Sequence, residues 1–250
     1  MRAKRAERRS WPSLAAAAAL VLAQGAALPA QAADPRVRDP LERVNRASHA
    51  FNDLLDRMLA RPAARAYRTA VPVPVRQAIA NFTENLTYPT VIINNALQGK
   101  FKDAASDTAR FMVNSVVGIG GFGDPATGFG LRAHNEDFGQ TLGRWGVPPG
   151  PYLVIPLLGP SDFRDGSGRF VDRFSSIPHY ASIKVEYGFS AVELLGRRTE
   201  LLATDATLQE AFDPYALVRN AYLVRREYLV RDGNMPEEDY EEQPADPPAH

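Results

Sequence analysis

From residue 39 to about residue 230, apolar side chains recur at three- and four-residue steps and almost never alternate. A period near 3.6 gathers them on one side of a helix, whereas a half-buried strand needs a period of two. The chain is therefore expected to be all-α, a single domain of multiple amphipathic helices. The first stripe is Leu41, Val44, Phe51, Leu54, Leu55 and Met58, with Ser48 in the gap. Asp39-Pro40-Leu41-Glu42 opens that helix: Asp39 as cap, Pro40 at the first position, Glu42 as capping-box acid. Pro62 is expected to stop it after about 20 residues. Val75, Ile79, Phe82 and Leu86 repeat the pattern up to Tyr88-Pro89, and Val91–Gln98 makes a short apolar helix closed by Gly99. Phe101, Ala104, Ala105, Thr108, Phe111, Met112 and Val116 then mark a helix that runs into glycines.

The second half continues in the same way. A short helix after Asn135 carries Phe138 and Leu142. Five prolines between Pro148 and Pro160 enclose the apolar stretch Tyr152–Leu158, which reads as an extended, partly buried loop. Ser161 is expected to cap a helix bearing Phe163, Phe170, Val171 and Phe174, and two helices follow, near Ala181–Ala203 and from Pro214 to about Val230. Nearly every helix has a broad apolar face. Periodicity alone favours a common core. It leaves open that some faces touch lipid, because a stripe does not say what covers it.

Composition narrows the function classes. With 45% hydrophobic and 23% charged residues, the chain is neither disordered nor a multi-span membrane protein. It has no cysteine, which excludes disulfides, thiolate nucleophiles, Cys-ligated metals and Cys-attached lipid within these 250 residues. The 29 basic and 29 acidic residues balance but are segregated. Arg2, Lys4, Arg5, Arg8 and Arg9 face only Glu7, whereas six acids and no base follow Met235. No basic face is forced, so nucleic acid is not an expected partner. The basic start, the apolar run Leu14–Ala23 and Ala30-Gln31-Ala32 read as a signal peptide over residues 1–32. That run is too short to span ~30 Å of hydrocarbon. Residues 33–234 are expected to form the helical domain, and 235–250 an acidic disordered tail.

Constellations that resemble chemistry fail on context. Gly118-Ile119-Gly120-Gly121-Phe122-Gly123 matches the dinucleotide fingerprint, but residues 101–117 read as helix rather than strand, and Arg144 stands where an acid is wanted. The segment reads instead as a helix terminus and permissive turn. As a hinge hypothesis, replacing Gly120 and Gly121 by Ala should impair function, and unchanged function would remove the idea. His134-Asn135-Glu136-Asp137 looks ligand-like, yet its acids are expected in the first turn of a helix, where they complement the dipole. His49, His179 and His250 show no metal spacing, and Ser115 and Ser161 have no visible partner. No catalytic residue, metal or cofactor is expected. Arg110 and Asn114, four apart on an apolar helix, either satisfy buried backbone groups or meet phosphate oxygens.

A longer series of motifs points to a family. Asp39-Pro40-Leu41-Glu42-Arg43-Val44-Asn45-Arg46 and Phe51-Asn52 are followed by Arg61-Pro62, Asn81-Phe82, Asn85-Leu86 and Leu97-Gln98-Gly99. Arg110, Asn114, Gly118, Gly120-Gly121 and Asp124 keep the order. Phe138-Gly139-Gln140-Thr141-Leu142-Gly143, Leu158-Gly159-Pro160-Ser161, Arg164-Asp165 and Asp213-Pro214-Tyr215 complete it, with Arg219, Tyr222 and Arg226. Together these span about residues 39–232 and resemble the MlaA/VacJ family of outer-membrane phospholipid transport proteins.

The resemblance implies a ring-like, membrane-embedded helical protein with a central polar channel, lying on the periplasmic-leaflet side of the outer membrane. It implies passage of phospholipid from the outer leaflet to a periplasmic lipid-carrier protein, which maintains lipid asymmetry, with trimeric porins as partners. Phe51 and Asn52 correspond to a family position on the first long helix, and Gly118, Gly120 and Gly121 to a glycine turn near the pore. Arg110 and Asn114 are added here as polar groups of the lipid path. The family is typically acylated on a cysteine that this sequence lacks, so a soluble periplasmic protein also fits. The alternatives are a soluble periplasmic lipid-binding carrier and a non-transporting surface or structural protein.

Overall fold

The computed structural model describes residues 39–235. The signal-peptide expectation lies outside them, as does the acidic tail beyond Met235. The described chain is mostly helical, as expected, with one small hairpin. Helix α1 spans Glu42–Leu55, α2 Arg61–Ala70, α3 Val73–Leu97 and α4 Phe101–Val116. A single turn, α5 (Pro125–Gly128), and the short α6 (Phe138–Arg144) lead to β1 (Tyr152–Ile155) and β2 (Gly159–Asp162). Helices α7 (Phe163–Asp172), α8 (Ile183–Glu200), α9 (Asp205–Glu210) and α10 (Pro214–Val230) follow.

Two proline stops do not occur. Before Pro62 the chain widens into a π turn over Asp56–Ala60, with the Arg61 N–H bonded to Asp56 O, and α2 continues through the proline. The wider turn absorbs the missing donor and the bulk of the ring. Pro89 lies inside the 25-residue α3. An interior proline costs ~3 kcal/mol, but tertiary bonds grip α3 on both sides of it. Tyr88 and Asn95 donate to Asp107, and Asn94 donates to Asp172 at 2.9 Å. The expected stop at Gly99 is real: Gly99 adopts φ +77°, its N–H bonds to Ala96 O, and Lys100 N–H reaches Asn95 O. This paired closure turns the chain back so that α4 packs on α3.

Three caps are displaced from their expected places. Asp39 forms a turn ahead of α1, accepting from the Leu41 N–H, and the helix begins at Glu42. Asp162, not Ser161, caps α7 by accepting from the Asp165 N–H at 2.7 Å. Glu136 and Asp137 precede α6 instead of occupying its first turn; Asp137 is its cap. The proline-rich loop is an antiparallel hairpin, with Tyr152 opposite Asp162 and Ile155 opposite Gly159. Pro160 is tolerated because both strands of a two-stranded ribbon are edges.

The apolar core is a small cluster of Tyr152, Val154 and Tyr215, with Tyr222 and Leu223 packed against it. It ties the hairpin to α10. Buried Asn45 ties α1 to the same hairpin, donating to Tyr152 O at 2.9 Å and accepting from the Val154 N–H. Close approach joins α6 to α7. A Cβ on Gly168 would lie 2.5 Å from Gly139 N. Beside that contact Arg226 of α10 donates to Asp137 and Asp165, and Tyr222 donates to Asp165.

Candidate functional site

The helices are inside out. Val44 is 63% exposed, Met58 64%, Phe101 70% and Val116 79%. The largest fully buried side chains are instead polar and include Gln140, Asn45, Asn94, Asn95 and Asp107. The favoured reading of the stripes as a common core is thus overturned: most of the α1 and α4 stripes face outward. A buried polar group without a partner costs ~1–3 kcal/mol, so such an interior requires a network. Asp107 accepts from Tyr88, Asn95 and His134, the last at 2.9 Å. Asn94 links Asp172 to the Thr141 hydroxyl, which donates to it at 2.7 Å. Broad exposed apolar surface marks a membrane or protein contact. Among the described residues, no helix is long and apolar enough to cross a membrane.

On α4, Asp107, Arg110 and Asn114 fall three and four residues apart and form the buried stripe. Arg110 donates through Nη2 to Asp124 at 2.7 Å, and through Nη1 to Thr127 and to Leu131 O. Asn114 donates to Asp124 and accepts from the Ala126 N–H. Both terminal nitrogens of Arg110 are therefore used within the protein, and its fork is not free for phosphate. Burial pushes the Asp124 carboxyl up, but hydrogen bonds from Thr127, Arg110 and Asn114 outweigh this and hold it below the usual carboxylate range.

The glycine turn packs against this pair. A Cβ on Gly118 would sit 2.4 Å from Asn114 O, and one on Gly121 would sit 2.5 Å from the Asn85 side chain. Both are fixed by close approach. Gly120, at φ +71°, faces open space. Next to the turn lies a shallow polar cleft, open to solvent, whose walls are Asn81, Glu84, Asn85 and Tyr88 of α3 with Arg110, Asn114 and Asp124. Of the expected lipid-path residues, Arg110 and Asn114 line this cleft, and Gly118 and Gly121 back it. Phe51 and Asn52 are not brought to it. Phe51 is exposed on α1. Asn52 donates to Ile155 O at 3.0 Å and accepts from the Leu157 N–H at 2.8 Å, pinning the hairpin tip to α1.

Sequence reasoning did not single out Glu84 or Tyr88. The available signal was the polar stripe Asn81, Glu84, Asn85 and Tyr88, spaced three and four apart along α3.

The chain is similar to known proteins over most of its length. The family model described as MlaA lipoprotein matches residues 37–229. The intermembrane phospholipid transport system lipoprotein MlaA of Escherichia coli (strain K12) is 36% identical over 204 residues, covering 79% of this chain and 80% of that protein. Its namesake in Haemophilus influenzae is 35% identical over 207 residues, covering 80% of this chain and 82% of that protein. A solved chain from work on the structural basis for maintenance of bacterial outer membrane lipid asymmetry superposes with a TM-score of 0.72 at 36% identity. That match covers 77% of this chain and 99% of the solved one. The fold is the ring-like helical one of that structure, and the chain belongs to the MlaA family.

Proposed function

We propose that this protein moves phospholipid between the outer and inner membranes, withdrawing molecules misplaced in the outer leaflet of the outer membrane. The observation that carries the reading is the inverted burial: apolar helix faces outward, a bonded polar interior behind them. An exterior of this kind is stable among acyl chains, where each square ångström of apolar surface removed from water contributes ~25 cal/mol. A polar-lined path through the ring then spares a head group the several kcal/mol of crossing hydrocarbon unpartnered. Nothing in this function requires a bond to be broken, so the protein acts as a conduit and not as an enzyme.

The protein lies on the periplasmic-leaflet side of the outer membrane, with residues 1–32 as its export signal, 33–234 as the transport domain and 235–250 as an acidic C-terminal segment. Trimeric porins hold it in place, and a periplasmic carrier receives the lipid. These 250 residues contain no cysteine; the attachment we read from the structure is made by the apolar faces, together with porin contacts. The test is the outer-leaflet phospholipid of a deletion strain. Deletion should raise it, the wild-type gene should restore it, and Arg110→Ala should restore it poorly, because the Asp124 network opens beside the cleft. Unchanged leaflet composition after deletion would end the proposal.

A further inference from the structure

The α3–α4 cleft carries a charge imbalance that the transport reading does not use. Arg110 is neutralised by Asp124 at 2.7 Å. Glu84 is the remaining ionisable carboxyl of the walls, and among the described residues it forms no ion pair. It stands at the open mouth as an exposed side chain. Behind it, Asn85 is only 4% exposed; its Nδ2 donates to Ser115, but its Oδ1 accepts from no group in the protein. Arg110, 5% exposed, has an unpartnered Nε. Buried polar atoms are nearly always bonded to protein, water or a ligand, so two without a protein partner at one cleft mark it as a place that can receive polar groups.

We propose that this cleft selects phospholipids whose head group ends in a primary ammonium, with Glu84 and the Asn85 Oδ1 receiving the cation. This inference rests on the transport reading and names its substrate class. The chemistry of the walls favours it over other head groups. A primary ammonium supplies three N–H donors, enough for a carboxylate and a waiting carbonyl oxygen together. A quaternary ammonium has the charge but no donor for Asn85. A glycerol head group leaves a net anionic lipid facing an uncompensated Glu84, and like-charge juxtaposition is penalised. With the Arg110 fork taken up by Asp124, Thr127 and Leu131 O, its Nε–H is the one donor left on that side of the cleft for the lipid phosphate.

The experiment is lipid analysis of full-length protein purified in mild detergent after equilibration with vesicles containing equal ethanolamine and glycerol phospholipid. Wild type should retain the ethanolamine lipid with about tenfold preference, equivalent to ~1.4 kcal/mol. Glu84→Gln should bring the ratio close to one, and Glu84→Lys should invert it. Both substitutions fall on an exposed side chain, and unchanged thermal unfolding confirms that each variant is folded. An even ratio for wild type, or a preference unaffected by Glu84→Gln, overturns the inference. So does stabilisation by free phosphoethanolamine without lipid enrichment, which would assign the site to a soluble amine. These failures differ from failure of the transport reading: in them, deletion still disturbs leaflet composition and only the head-group ratio is flat.

Discussion

At the scale of single residues, the structure keeps costly choices where its exterior needs them. Ile119 adopts φ +58° in the glycine turn and is 79% exposed. A β-branched residue in the left-handed region is strained by ~1–2 kcal/mol, and in water it would have little to offset that. Beside it Val116, Val117 and Phe122 are also exposed, so the turn presents an apolar knob. Ile119→Gly should raise the unfolding temperature in detergent by a few degrees, the shift expected for ~1 kcal/mol in a domain of this size. The same variant should bind vesicles more weakly. A variant neither stabilised nor weakened would mean that the backbone relaxes and the knob has no role. Asn52 follows a similar logic: its one amide fixes Ile155 and Leu157, and the tip of the hairpin exposes Leu157 and Leu158.

At the scale of elements, α3, α6 and α7 meet at Asp172. Its carboxyl accepts from the Phe138 N–H at 2.9 Å and from Asn94, yet burial pushes it up to about 6. The folded state therefore holds this proton more tightly than the unfolded chain, where aspartate titrates near ~3.9. Its contribution is fully present below that value and is lost as pH rises through about 6. Asp172→Asn keeps a neutral acceptor at the position and removes the titration. Relative to wild type, the variant should gain unfolding temperature between pH 4 and pH 6.5 and stay level above. A constant difference across that range would show that Asp172 does not titrate there.

The same elements show what could be read from the chain. Helix spacing, the Gly99 closure and the start of α10 at Pro214 were legible because each is a local signal. The continuations through Pro62 and Pro89 were not, since a π turn and distant bonds to Asp107 and Asp172 decide them. Arg110 and Asn114 stood out as polar interruptions of an apolar pattern. Glu84 did not, because α3 is polar at many positions and only the fold brings Glu84 opposite the Arg110–Asp124 pair.

At the scale of the whole molecule, the undecided matter was which side of each helix faces out, because a period has no sign. The exposure of Val44, Met58, Phe101, Val116, Phe163 and Phe170 decides it. A soluble protein with this exterior would aggregate, whereas one lying in a leaflet exchanges water for acyl chains at ~25 cal/mol per Å². Attachment should then need no lipid tail. Mature protein should float with phospholipid vesicles, and high salt should not release it, since apolar contact is not screened. Replacing Val116 and Phe163 by Asp places two charges on the apolar exterior without touching the network around Asp107 and Asp124. That variant should keep its helical content and its cooperative unfolding but remain with the unbound protein after flotation. If it floats as well as wild type, those faces do not meet the bilayer, and the inverted burial must be explained by a protein partner.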